Sequence, residues 1–275
     1  MSRMARLIDI TRCTACRGCQ VSCKRWNQLA GEIGAFTGSY QSHDDLSPGR
    51  WTMIKFYEEK KPGGEMAWHF RKATCMHCAD AGCLKACPNE ALVREENGTI
   101  RRIEENCIGC GHCVQFCPFD IPKVDEVAQK MKKCTFCYDR ISNGREPACA
   151  KTCVPRAIVY GTWDEMAALA DERLAQAKKL YPDSRIYGKD ELGGLGVIYI
   201  LPDSPAKYGL PEDPSLPFTL GLWKDVVHPF GNALIGASLA ATGLAFIISR
   251  RNAMKLKESA KLEEGGYDDE QQKNG

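Results

Sequence analysis

The longest apolar block in the chain is PFGNALIGASLAATGLAFIIS, Pro229 to Ser249, twenty-one residues without a charge. As a helix it would run about 31 Å, close to the hydrocarbon thickness of a bilayer. It therefore predicts a membrane span. Ala233, Ala237 and Ala241 fall every fourth residue, with Gly236 and Ala240 beside them. Such a stripe of small side chains lets another helix approach closely. The competing reading is an ordinary buried helix. The length, the terminal position and the charges that follow argue against it. Other stretches carry shorter periods. DEMAALADERLAQAKKLY repeats apolar residues at helical spacing, and Thr162 with Glu165 three places on forms a capping box at its start. LGVIYIL, Leu195 to Leu201, predicts a buried strand, and WTMIKFYEE another strand after a loop from Gly31 to Gly49. ALVREENGTIRRIEENC predicts a hairpin turning at Asn97-Gly98. Pro202, Pro205, Pro211, Pro214 and Pro217 favour an extended, irregular arm lying along a surface.

Charge adds orientation. The 37 basic and 35 acidic side chains nearly cancel, so nothing points to nucleic acid as a partner. Arg250, Arg251, Lys255 and Lys257 follow the span directly, which places the C-terminus in the cytoplasm. Everything before the span would then lie in the periplasm, anchored to the cell inner membrane by a single pass. Trp223 fits an interfacial anchor, and His228 an interfacial residue that could approach a cofactor in a membrane partner. No amino-terminal signal peptide accompanies this orientation. Export of an already folded chain, carried by a partner with a twin-arginine signal, reconciles the two.

The sixteen cysteines change the picture most. They form four groups: Cys13, Cys16, Cys19 and Cys23; Cys75, Cys78, Cys83 and Cys87; Cys107, Cys110, Cys113 and Cys117; Cys134, Cys137, Cys149 and Cys153. Disulfides fit poorly, because thiols two residues apart suit chelation better than cross-linking. Zinc, with four ligands commonly in two separated pairs, could suit the fourth group. It does not suit the first or third, where three close thiols crowd one side. CIGCGHCVQFCP, Cys107 to Pro118, matches the bacterial ferredoxin run C-x2-C-x2-C-x3-C-P, in which the fourth thiolate binds the other cluster of a pair. Four [4Fe–4S] clusters would use every thiol, and at about −2 each would shift the formal +2 to roughly −6. Lys24, Arg25, Lys132, Lys133, Lys151 and Arg156 lie near the motifs and could offset this. Singly, each reads first as a solvated surface residue. The same holds for His77 and His112 as ligands: with four thiols per cluster they are expected around the sites rather than on iron.

The second and third groups stand about thirty residues apart and both end in Cys-Pro, flanking the predicted hairpin. The first and fourth form an outer pair that must close across them. The expectation is an α+β fold of two pseudo-symmetric ferredoxin-like (bacterial 2[4Fe–4S]) modules, one inserted in the other, plus one C-terminal transmembrane helix. The expected boundaries are 1–160 for the four-cluster domain, with the inner module at about 66–125. Residues 161–222 would hold the helix, strand and arm, 223–251 the anchor, and 252–275 a polar cytoplasmic tail.

CTACRGCQVSCKRWN, CMHCADAGCLKACP, CIGCGHCVQFCPFDIP, KCTFCYDRISNGREPACAKTC, the YGLPEDP arm and the single span together give a specific resemblance. Over nearly its whole length the chain resembles the iron–sulfur (beta) subunits of membrane-bound respiratory formate dehydrogenases. That resemblance implies one outer cluster on Cys13, Cys16, Cys19 and Cys153, and the other on Cys134, Cys137, Cys149 and Cys23. It implies one inner cluster on Cys75, Cys78, Cys83 and Cys117, and the other on Cys107, Cys110, Cys113 and Cys87. It further implies two partners. One is a catalytic subunit with a molybdenum or tungsten pterin, and the other a cytochrome b subunit that reduces quinone. This chain would be a non-catalytic electron carrier between them. Val154 separates Cys153 from Pro155, which departs from the family's Cys-Pro and implies a looser turn there.

Rival readings remain open on the residues alone. A hydrogenase, a polysulfide reductase or another pterin oxidoreductase could own such a subunit. A zinc-stabilised, membrane-anchored scaffold would bind about four zinc ions instead of sixteen irons.

Overall fold

The structure, a computed structural model, describes residues 2–271 except 32, 36, 37, 42 and 223–226. Side chains are described as far as 257, except those of 228 and 229. The Trp223 anchor lies outside the described residues, and so does the His228 side chain.

A four-stranded sheet forms the base of the first compact unit, Met1–Leu220. Its strands are β1 (Met4–Asp9), β8 (Ile158–Thr162), β9 (Arg185–Tyr187) and β10 (Val197–Leu201), in the order β8-β1-β10-β9. β1 runs parallel to β10, with Arg6 opposite Val197, and antiparallel to β8, with Met4 opposite Thr162. The LGVIYIL strand is therefore present, and all five residues of β10 are buried. Side-chain alternation sends its residues to two different cores. Ala5, Leu7, Ile198 and Ile200 face α6 (Trp163–Ala177) and pack on Met166, Ala167 and Ala170. Ile8, Val197, Tyr199 and Leu201 face the other way, into a core that also holds Cys19, Cys149, Met76 and Phe136. α6 begins as expected. Thr162 accepts from the Glu165 N–H, and the Glu165 carboxylate accepts from the Thr162 N–H.

Over this second face lie the cysteine loops and three hairpins. β4 (Leu92–Arg94) pairs with β5 (Ile100–Arg102) through the Asn97-Gly98 turn, where Gly98 takes φ +81° and Asn97 Oδ1 accepts from Thr99. The strand in WTMIKFYEE is β2 (Thr52–Lys60). It pairs over nine residues with β3 (Met66–Thr74), a partner the sequence reading did not identify. β6 (Lys123–Asp125) and β7 (Lys130–Lys132) form a third, also unforeseen. The proline arm is irregular, as expected, but it is seated. Pro205, Tyr208, Leu210 and Pro214 are buried, the Arg71 guanidinium donates to the Tyr208 and Gly209 carbonyls, and Tyr187 Oη donates to Pro211 O.

The second unit begins at Gly221. It carries one long helix, His228–Gln271, of 44 residues. Its segment Phe230–Lys257 is apolar and long enough to cross a membrane, with none of it buried against the rest of the chain. The Ser238 and Thr242 hydroxyls donate to the carbonyls of Leu234 and Ser238, one turn back, so neither is left unpaired on an apolar surface. The helix does not stop at the basic flank; it continues through the polar residues to Gln271.

Candidate functional site

Each cysteine group begins with a loop whose backbone turns sharply outward around the sulfur. The residue two places after the first cysteine is left-handed in all four: Ala15 (φ +52°), His77 (+49°), Gly109 (+70°) and Phe136 (+61°). This turn aims backbone N–H groups at the thiol. Ala15 N lies 3.5 Å from Cys13 Sγ and Phe136 N 3.4 Å from Cys134 Sγ. A second left-handed residue follows the last cysteine of three groups by three places, at Glu90, Asp120 and Arg156. Past it the chain returns another N–H to sulfur. Ala91 N lies 3.2 Å from Cys87 Sγ, and Ile158 N lies 3.3 Å from Cys153 Sγ. The extra residue Val154 is absorbed here. The donor to Cys153 comes five places on rather than four, and the turn keeps its form.

Short helices then carry five more thiols inward, and α4 (Tyr138–Ile141) starts directly after Cys137. α1 (Gly18–Trp26) holds Cys19 and Cys23, α2 (Gly82–Lys85) holds Cys83, α3 (His112–Gln115) holds Cys113, and α5 (Ala148–Lys151) holds Cys149. Every one of the sixteen thiols is free. Thiols of different groups lie close enough to act on one another. Burial, then Cys107, Cys110 and Cys87, push the Cys113 thiol up to about 11. The same four cysteines line one pocket with Ala91, Leu92, Ile108 and Met131. Burial, then Cys75, Cys117 and Cys83, raise Cys78 well above the usual thiol range. Burial, with Cys149, Cys13 and Cys153 adding to it, raises Cys19 to about 12. Burial, then Cys134, Cys149 and Cys137, raise Cys23. Thiols that repel one another's charge in this way are held for something that takes their protons away.

The chemistry of the donors fits an iron–sulfur cluster. All the facing groups are sulfur, each set spans two loops, and N–H groups point at the sulfurs. Among the described residues no three thiol, imidazole or carboxylate groups close on a point where a single ion would sit.

Burial orders the four sets. Cys16 and Cys110 are exposed, one in the first outer set and one in the second inner set. Cys23, Cys134, Cys137 and Cys149 are all buried, and Cys134 shares a core with Cys75, Cys117, Met53, Ala73 and Ile121. Cys19 feels Cys149, and Cys83 feels Cys113. Neighbouring thiols thus link the first group to the fourth, the fourth to the second and third, and the second to the third.

The cations around the site differ from the expected ones. Arg25, Lys151 and Arg156 are exposed surface residues and Lys24 and Lys132 are half-buried, whereas Lys133 is buried and donates to the carbonyls of Ile100 and Cys134. Two cations that sequence reading missed lie deeper. Lys72 is 1% exposed and donates to Thr52 Oγ1 at 2.7 Å. Arg6 is 1% exposed, its Nη1 lies 3.2 Å from Cys149 Sγ and its Nη2 3.8 Å from Cys134 Sγ. Burial alone would raise the Cys134 thiol, but Arg6 and then Lys72 overrule it and hold it at about 7. The available signal was charge inside apolar stretches: Arg6 interrupts MARLID, and Arg71 and Lys72 stand between Phe70 and Ala73. His77 is fully buried, and its Nδ1 accepts from the Ile100 N–H at 3.0 Å. His112 is exposed beside Cys110, Nδ1 to Sγ 3.3 Å.

Comparison with known proteins agrees with this chemistry. Residues 66–163 match a family described as a 4Fe-4S dicluster domain, and residues 12–91 match a second family of the same description. The nitrate-inducible formate dehydrogenase iron–sulfur subunit of Escherichia coli (strain K12) is 42% identical over 250 residues, which cover 89% of this chain and 84% of the relative. The formate dehydrogenase-O iron–sulfur subunit of the same organism is 42% identical over 244 residues, 87% and 81% of the two chains. A formate dehydrogenase iron–sulfur subunit of Haemophilus influenzae is 40% identical over 239 residues, 85% and 76%. With two interlocked dicluster modules, sixteen converging thiols and one apolar C-terminal helix, this chain belongs to the family of formate dehydrogenase iron–sulfur subunits.

Proposed function

We propose that the chain carries four [4Fe–4S] clusters and passes electrons from a pterin-containing formate dehydrogenase catalytic subunit to a membrane cytochrome b subunit that reduces quinone. What supports this reading is that thiols of paired motifs act on one another: Cys153 on Cys13, Cys134, Cys137 and Cys149 on Cys23, Cys117 on Cys78, and Cys87 on Cys113. The ligand sets are Cys13, Cys16, Cys19 with Cys153; Cys134, Cys137, Cys149 with Cys23; Cys75, Cys78, Cys83 with Cys117; and Cys107, Cys110, Cys113 with Cys87. When bound, a cluster supplies one-electron redox chemistry at a potential set by charge, hydrogen bonds to sulfur and burial.

The protein's own part is to hold the thiolates, exclude water from the two middle sets and leave an edge open at each end. Cys16 and Cys110 mark those edges, so each is the place where electrons cross to a partner. The apolar helix within His228–Gln271 anchors the chain, and its basic flank supports a cytoplasmic C-terminus with the cluster unit in the periplasm.

The test is anaerobic purification of the intact membrane complex. About sixteen iron atoms per chain, a pterin subunit and a haem subunit in the same particle, and formate-dependent quinone reduction are expected. About four zinc ions and a colourless protein would replace the reading with a scaffold. A hydrogenase or polysulfide reductase subunit copurifying in place of the formate enzyme would keep the wire and change its owner.

A further inference from the structure

Arg6 stands apart from every other cation near the thiols. It is wholly buried, and its position on β1 points it into the face of the sheet that meets the cysteine loops. Two of its nitrogens reach thiols of one set, Cys149 and Cys134, and its guanidinium lies 4.2 Å over the Phe136 ring of the same loop. Its Nε is buried with no partner among the described residues. No carboxylate bonds to it among the described residues, so its charge is answered only by sulfur. An unpaired guanidinium is very costly to bury, and it persists only beside fixed negative charge.

The other sets have weaker company. Arg102 acts on Cys107 but is partly exposed and paired with Glu104 at 3.0 Å. Lys133 is spent on two backbone carbonyls near Cys83. In the first outer set Lys72 approaches Cys19, while Asp9 opposes it at Cys13.

We propose that Arg6 makes the centre held by Cys23, Cys134, Cys137 and Cys149 the most readily reduced of the four, so that the second position of the relay stores the electron. This rests on the four-cluster reading above. Reduction there adds one electron, given by a neighbouring centre that is thereby oxidised; no bond forms or breaks and no proton need move. The site goes from about −2 to about −3. A cation in direct contact favours the more negative state, and low-dielectric surroundings strengthen the preference. Arg6 is thus a tuning residue, acting through the thiolates it touches.

Redox titration of the anaerobically purified complex, followed by electron paramagnetic resonance, tests this. The resonance that Cys23→Ser alters or removes identifies the centre. In the parent complex it should have the highest potential of the four. Arg6→Gln should lower it at least tenfold in reduction equilibrium, about 59 mV for one electron, and leave the other three in place. Arg6→Lys keeps the charge but loses the two-pronged contact, and should lower the same centre by less. A different centre at the top of the parent series, no movement in either variant, or an equal shift of all four would overturn the proposal. If Arg6→Gln loses iron, Arg6→Lys and the parent ranking still decide. Parent material with far fewer than about sixteen irons would instead sink the four-cluster reading.

Discussion

Gly109 sits between two cysteines of the most ferredoxin-like loop, at φ +70°, and a Cβ there would lie 2.5 Å from the Gln129 carbonyl oxygen. Conformation and space therefore both demand glycine. Gly109→Ala should destabilise the cluster unit by about 1–3 kcal/mol and loosen the set lined by Cys107, Cys110, Cys113 and Cys87. Faster iron loss on exposure to a chelator, confined to about a quarter of the total, is the expected readout. Iron loss equal to the parent would contradict it. Cys23→Ala gives a sharper result. It should remove one whole centre, leaving about twelve irons, because Cys23 reaches a set whose other members lie more than a hundred residues away. At this scale the cysteines were legible because their spacing is chemical and local. Arg6 and Lys72 were not. A lone cation in a strand as short as β1 looks like an edge or a surface, and only the pairing of β1 between β8 and β10 turns Arg6 inward, while Lys72 is buried on β3 beside Arg71.

Among the elements, α6 was the most legible, since its cap and its period are both written within eighteen residues. Thr162→Ala removes the side-chain half of the capping box and should cost about 1 kcal/mol, seen as a lower thermal midpoint with unchanged iron content. The Asn97-Gly98 hairpin was legible for the same local reason. β3 and the β6–β7 hairpin were not. MAWHFRKAT mixes charge on both faces because one end is exposed and the other lies among the thiols, so no clean alternation survives. β6 and β7 have three residues each, too few for a period to register. The apolar helix was legible in place but not in length: its hydrophobic stretch ends near Ser249, while the backbone stays helical to Gln271, first through Ala, Met, Lys, Leu and Glu, residues of good helix propensity, and then past Gly265 and Gly266. Ending the chain after Leu222 should leave a cluster unit that no longer sediments with membranes yet keeps its iron. Iron lost together with the anchor would show that the two units do not hold separately.

For the molecule as a whole, the nested order of the modules was readable from the cysteine groups alone, but the sheet that closes them was not. Topology remains to be tested in cells. With a cytoplasmic C-terminus, a reporter active only in the cytoplasm should work when fused after Gly275, and protease added to spheroplasts should reach the cluster unit. Protection of that unit until lysis would reverse the orientation. The sheet has a consequence for how the polypeptide is made. β1 leaves the ribosome before both of its neighbours, residues 158–162 and 197–201. That strand must therefore wait, unpaired, until its partners beyond residue 157 have been synthesised. The hairpins and loops between can meanwhile find their partners nearby. Biogenesis of this unit then runs from the segments between outward, with β1 among the last parts to be locked.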